Sequence, residues 1–203
     1  MEKLRLAVLA SGRGTNLQAI INAIEAGELK AEISIIISNR KDAPALARGR
    51  EHGINTYFLD PALHKKPGSY DQALVDLWRQ YQVDVVLLAG FMRLLGKEAV
   101  KAYRQRILNI HPSLLPAFPG LNAQRQALAY GVKFSGCTVH FVDEGMDTGP
   151  IILQAVVPVL DTDDEETLAK RILKEEHRIY PEAVRLLAAG RLKVEGRKVK
   201  ILP

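Results

Sequence analysis

The stretch Leu4-Arg5-Leu6-Ala7-Val8-Leu9-Ala10-Ser11-Gly12-Arg13-Gly14-Thr15-Asn16-Leu17-Gln18 decides the fold class. A short apolar run ends in a glycine-bearing turn that opens into an amphipathic segment, the pattern of a strand feeding a helix in a parallel α/β sheet. Working outward, the alternation repeats. Leu4–Ala10, Ile33–Ser38, Thr56–Leu59, Val85–Ala89 and Ile107–Ile110 read as strands, with Asn16–Ala26, Pro44–His52 and Ser69–Tyr81 as helices between them. After Ile110 the pattern changes to a stretch punctuated by Pro112, Pro116 and Pro119, then a helix near Gln124–Tyr130 and strands near Cys137–Val142 and Ile151–Val157. The acidic segment Asp161–Glu166 suits a helix N-terminus. Thr167–Ala189 reads as a long helix that Pro181 is expected to kink. Leu192, Val194, Val199 and Ile201 alternate with polar residues around Glu195-Gly196-Arg197, as in an edge hairpin. The fold class expected is α/β: an open, mostly parallel twisted sheet flanked by helices, Rossmann-like in its N-terminal half, with antiparallel C-terminal additions. A single domain over 1–203 is expected, with a nucleotide-fold half (1–110), a second half (111–190) and a basic tail (191–203).

Composition sets the outer limits. With 203 residues, 47% hydrophobic and 25% charged, the chain is globular in make-up. A domain of this size removes about 70% of its unfolded surface from water without a metal or cross-link. The only cysteine, Cys137, excludes an intrachain disulfide and a thiolate metal cluster, which points to a reducing compartment. The net charge is +5, but four of those charges fall in Arg191–Pro203, which holds Arg191, Lys193, Arg197, Lys198 and Lys200 against Glu195. A charged tail without interleaved aromatics is no nucleic-acid footprint, so no nucleic-acid partner is expected. No apolar run approaches the roughly 18 residues of a membrane span. Leu4–Ala10 imitates a secretory start yet runs into Ser11-Gly12-Arg13-Gly14 with no cleavage region, so a cytoplasmic protein without a membrane partner is expected.

Three places carry chemistry. Ser11–Asn16 lies at the carboxyl end of the first strand, where open parallel sheets bind ligands. Backbone amides and the helix dipole there suit a phosphate. No Gly-Lys-Ser/Thr makes it a P-loop, and Leu17 stands where a dinucleotide fingerprint needs its third glycine. A monophosphate site and a plain tight turn capped by Thr15 or Asn16 both fit the residues. Asn109 and His111 end the fifth strand two apart, hence on one side of it. An amide donor beside a titratable imidazole suits a carbonyl becoming an oxyanion, whereas a lone histidine is commonly core. Asp143-Glu144-Gly145-Met146-Asp147-Thr148-Gly149-Pro150 is either a solvated hairpin tip or the source of a carboxylate for His111. Asp147 is the expected one, raising the imidazole pKa and fixing the ring. His140 and His177 are open between site and core, while His52 and His64 read as exposed. No HxxxH or HExxH pair exists, so no metal is expected.

Taken together, the chain resembles the folate-dependent phosphoribosylglycinamide formyltransferase family of purine biosynthesis. The anchors are Ser11–Gln18, Leu88-Ala89-Gly90-Phe91-Met92-Arg93, Asn109-Ile110-His111-Pro112-Ser113-Leu114-Leu115-Pro116, Asp147-Thr148-Gly149-Pro150-Ile151-Ile152 and Glu176-His177-Arg178-Ile179-Tyr180-Pro181. The resemblance implies transfer of the formyl group of 10-formyltetrahydrofolate to the amine of glycinamide ribonucleotide, giving formylglycinamide ribonucleotide and tetrahydrofolate. It implies Asn109, His111 and Asp147 as catalytic residues. It implies Gly14, Thr15 and Asn16 on the ribonucleotide phosphate, Pro112 beside the glycinamide arm and Glu176 on the ribose hydroxyls. Met92, Arg93, Leu94, Leu95, Asn109, Asp143, Gly145 and Asp147 are implied around the folate, and a cis peptide at Leu115-Pro116.

There are departures from the family pattern. Pro67 occupies a place where an arginine often contacts the folate, with Lys66 as a possible stand-in charge. Asn122 and Gln124 stand where many members have histidines, and neither is given a role, while Arg13 is variable in the family. Small-molecule substrates and a monomer or homodimer are expected. The rival readings are a 10-formyltetrahydrofolate deformylase, which should carry an extra domain ahead of the catalytic one, and a methionyl-tRNA formyltransferase, which should carry a basic domain after it. A third is a nucleotide-binding module without catalysis.

Overall fold

Strands buried on both faces need near-continuous apolar runs, because helices cover each side of a parallel sheet. The computed structural model describes residues 3–203 and shows those runs in that role. The chain forms two compact units, one ending at Asn109 and the other covering Ile110–Pro203.

The first unit is built on β1 (Leu4–Leu9), β2 (Ala31–Ser38), β3 (Thr56–Phe58), β4 (Val85–Leu88) and β5 (Ile107–His111), whose last two residues pass into the second unit. These strands lie in the order β3-β2-β1-β4-β5, and their pairs are parallel. Register places Val8 between Ile36 and Leu87, and Leu88 beside Asn109. The helices are α1 (Thr15–Glu25), α2 (Pro44–Glu51), α3 (Ser69–Gln80) and α4 (Lys97–Ala102). Leu74 and Trp78 on α3 are fully buried, and Leu77 is half-buried. Because β1 and β4 are parallel neighbours, the loops that follow them emerge at the same edge of this sheet.

The second unit holds α5 (Ala123–Tyr130), β6 (Phe134–Phe141), β7 (Ile151–Pro158), α6 (Glu165–Ala188), β8 (Leu192–Glu195) and β9 (Lys198–Ile201). Strand order is β6-β7-β9-β8; β6/β7 and β8/β9 are antiparallel and β7/β9 is parallel. The α6 N-terminus is closed by a capping box, with Asp164 accepting from the Thr167 amide at 2.8 Å and the Thr167 hydroxyl accepting from the Asp164 amide at 2.9 Å. This box starts the helix two residues ahead of the expected Thr167. The helix runs without a break through Pro181. The tail is the expected hairpin, pairing Val194 with Val199, and Lys193 and Lys200 both bind Glu195.

The class observed is therefore the one expected. Among the described residues, no helix is long and apolar enough to cross a membrane.

Candidate active site

In the first unit the turn after β1 is set by Gly14. Its φ of 71° is left-handed, and a Cβ there would lie 2.9 Å from the Ala45 Cβ, so both conformation and space require glycine. Helix α1 starts at the next residue, with Gly14 at its N-cap position and Thr15 as its first residue. The Gln18 amide donates to the Gly14 carbonyl at 3.0 Å, and the amides of the first helical turn precede that bond. Thr15 is half-buried and Asn16 buried at this end of the helix.

The loop after β4 is held by polar pins. The Met92 amide donates to Ser11 Oγ at 2.8 Å, and the Gly96 amide donates to Asp71 Oδ1 at 3.0 Å. The Arg93 guanidinium lies 4.4 Å from the centre of the Tyr70 ring, a cation–π contact. Tyr70 donates to the Leu59 carbonyl, and burial, against the opposing charge of Arg93, pushes its pKa up to about 12. Met92 and Leu94 leave large apolar side chains 64% and 68% exposed along this loop. Lys66 sits exposed in the turn before α3.

In the second unit His111, only 5% exposed, is bracketed by two acceptors. Its Nε2 lies 2.9 Å from the Phe118 carbonyl and its Nδ1 3.4 Å from Asp147 Oδ2. A neutral ring donating from Nε2 therefore turns the Nδ1 lone pair toward a carboxylate, an assignment made from these partners. The other carboxylate oxygen, Asp147 Oδ1, lies 3.6 Å from Nε2 of His140, whose Nδ1 is 2.8 Å from the Phe141 carbonyl. Asp147 Oδ2 also accepts from the Gly120 amide at 2.8 Å. Asp147 itself has a left-handed φ of 54°, which turns its side chain out of the chain direction of the loop.

The loop closes on Asp143, whose Oδ1 accepts from the Gly145 amide at 3.1 Å and the Thr148 hydroxyl at 2.6 Å. Beneath it, buried Thr138 donates to the Ser113 carbonyl at 2.7 Å and accepts from the Leu115 amide at 3.1 Å. That pair pins the segment after His111, and the Leu115-Pro116 peptide is cis as the resemblance implied.

The electrostatics differ from the sequence reading in one respect. Asp147 and the Phe118 carbonyl do favour the imidazolium, but burial is the larger effect and holds the His111 pKa below its ordinary 6.5. Burial likewise pushes the Asp147 carboxyl up, yet the His140 bond, the Gly120 amide and the His111 charge together outweigh it and hold the carboxyl below the usual range. The site thus rests with a neutral ring beside a carboxylate. Glu176 on α6 is buried, and Cys137 is raised to about 12 by burial and the charges of Glu176 and Glu175, which leaves its thiol inert.

The structure brings His111 and Asp147 together, and strand parity puts Asn109 and His111 on one side of β5. Pro112 follows the strand end directly. The sequence left His140 open, although its two-residue spacing from buried Thr138 on β6 is a signal for an inward position. The Arg93–Tyr70 stack left no local signal. Among the described residues, no group of three or more His, Cys, Asp or Glu is placed to hold a metal.

Comparison with known proteins adds independent observations. The formyl transferase family model matches residues 4–184. The crystal structure of glycinamide ribonucleotide transformylase 1 from Symbiobacterium toebii superposes with a TM-score of 0.98 at 55% identity, covering 99% of this chain and 95% of that one. The phosphoribosylglycinamide formyltransferase of Escherichia coli is 45% identical over 94% of this chain and 90% of its own length. The trifunctional purine biosynthetic protein adenosine-3 of Drosophila pseudoobscura pseudoobscura is 49% identical over 93% of this chain, which spans only 14% of that protein's length.

Proposed function

Because the chain belongs to the formyl transferase family, within its phosphoribosylglycinamide formyltransferase branch, we propose that it transfers the formyl group of 10-formyltetrahydrofolate to the amine of glycinamide ribonucleotide. The observation that carries the chemistry is Asp147 held between His111 and His140 at 3.4 and 3.6 Å.

The amine attacks the formyl carbon, forming the new C–N bond while the carbonyl oxygen becomes an oxyanion. Neutral His111 takes the proton from the attacking nitrogen, and Asp147 stabilises the imidazolium that results. Asn109 and that imidazolium support the oxyanion. Collapse breaks the bond to the folate nitrogen, which receives the proton from His111, leaving formylglycinamide ribonucleotide and tetrahydrofolate. A resting pKa below 6.5 fits this order, since the ring must be a base before it is an acid. Gly14, Thr15 and Asn16 take the ribonucleotide phosphate, Pro112 borders the glycinamide arm and Glu176 takes the ribose hydroxyls. Backbone groups of Met92–Leu95 and the loop from Asp143 through Gly145 to Asp147 take the pterin. Arg93, braced on Tyr70, and Lys66 supply positive charge near the position where Pro67 replaces the family's arginine.

The test is production of tetrahydrofolate from 10-formyltetrahydrofolate with and without glycinamide ribonucleotide. Turnover only with the ribonucleotide is expected. Turnover without it identifies a deformylase, and none under either condition identifies a binding module.

A further inference from the structure

We infer that Ser11, placed by sequence in the ribonucleotide loop, is a positioning residue for the other substrate: its hydroxyl, oriented by Asn39, sets the Met92 amide and with it the loop Gly90–Leu95. The inference rests on the assignment of that loop to the pterin made above.

Ser11 is 3% exposed, and the bonds that hold it lie within the first unit. Its amide donates to the Gly90 carbonyl at 3.0 Å, its hydroxyl donates to Asn39 Oδ1 at 2.5 Å, and its oxygen accepts from the Met92 amide at 2.8 Å. The hydroxyl has one proton, so committing it to Asn39 turns a lone pair to Met92. Asn39 lies just past the end of β2, and the contact therefore ties the ends of three strands, β2, β1 and β4, at one edge of the sheet.

The loop it holds has little else to fix it there. Met92 and Leu94 are mostly exposed, so packing does not locate them; the Tyr70 stack holds the next side chain, Arg93, and Asp71 holds the Gly96 amide beyond the loop, but neither bonds the Met92 amide. The turn that presents Gly14 and Thr15 is located separately. The Ala45 amide donates to the Gly12 carbonyl at 3.1 Å, and Gly14 packs directly on Ala45. Removing the Ser11 hydroxyl therefore leaves the phosphate amides in place and frees the Met92 amide, a part-buried donor then without this acceptor.

The experiment measures KM for each substrate in Ser11→Ala, Asn39→Ala and Gly14→Ala, with amide exchange at Met92 followed by NMR. Ser11→Ala is expected to raise the KM for 10-formyltetrahydrofolate about tenfold, with the ribonucleotide KM within about twofold of wild type. The Met92 amide should exchange faster while that of Gln18 does not change. Asn39→Ala should move the same quantities in the same direction by less, and it carries the test if melting shows Ser11→Ala unfolded. Gly14→Ala, which forces the turn that presents the phosphate amides, should show the opposite split. Equal rises in both KM values, or a folate KM and Met92 exchange rate unmoved in both Ser11 and Asn39 variants, overturn the inference. A ribonucleotide KM unmoved in Gly14→Ala instead overturns the underlying assignment of the phosphate loop.

Discussion

Two glycine-rich loops, Ser11–Asn16 in the first unit and Asp143–Gly149 in the second, do opposite kinds of work. The first presents main chain: Gly14 supplies the left-handed turn, and the helix behind it supplies amides. The second presents a side chain. Asp143 closes it, Gly149 lets it press against the Phe141 carbonyl where a Cβ would come within 1.7 Å, and Asp147 carries a carboxylate to His111, His140 and the Gly120 amide. A loop working through its backbone fails only where conformation is forced. One working through a single charge fails when that charge is removed.

The largest expected effect tests the second loop. Asp147→Ala removes the group that supports the imidazolium, and kcat should fall by about 10²–10³. Asn109→Ala should lose a similar factor as an oxyanion donor disappears. Single-turnover rates at saturating substrates read both losses. A tenfold or smaller loss in Asp147→Ala would mean that the carboxylate only props the loop. The backbone loop is tested by Gly14→Ala, which forces a left-handed alanine costing roughly 1–2 kcal/mol and drives a methyl toward Ala45. Its melting point should drop several degrees and its ribonucleotide KM rise. Gly12→Ala meets nothing within 4 Å and should be close to neutral. Equal behaviour of the two alanines would remove the argument that Gly14 is conformationally required.

This contrast also explains what the sequence discloses. Glycines forced by conformation leave a readable mark, so the first strand, its turn and the helix were placed to within a residue. Helix α4 leaves no sequence signal, because six residues with only Ala99 and Val100 buried carry too little periodicity. The start of β6 was missed because Phe134 is exposed and Gly136 reads as a breaker, whereas a Cβ there would lie 1.9 Å from the Ala155 carbonyl and only glycine fits the pairing. Asp147 is one of several acidic residues in its loop, and spacing alone does not say which carboxylate turns inward; its left-handed φ of 54° is what turns this one. The Arg93 stack on Tyr70 joins residues far apart in the chain and is invisible to local patterns. For His111 the neighbouring carboxylate was legible but the depth of burial was not, and burial decides the direction of its pKa.

That direction yields the smallest effect and the one most sensitive to burial. The folded His111 pKa lies below 6.5 because burial penalises the charged ring more than Phe118 and Asp147 favour it. Below pH 6.5 the unfolded chain takes up a proton that the folded chain refuses, so the stability due to the neutral ring is full above 6.5 and is lost as pH falls through the folded pKa. Asp147, held below 3.8, contributes stability that is full above 3.8 and disappears as pH falls through its own folded value. The two losses begin at separate pH values, which lets them be distinguished. His177, lowered by burial alone, has the same sign as His111 and keeps part of the slope in any His111 variant. Denaturant unfolding at several pH values between about 5 and 7.5 should show stability falling on the acid side, with a shallower fall in His111→Gln. An unchanged slope in that variant would mean that His111 titrates as freely folded as unfolded, and burial would then not be what keeps this ring a base.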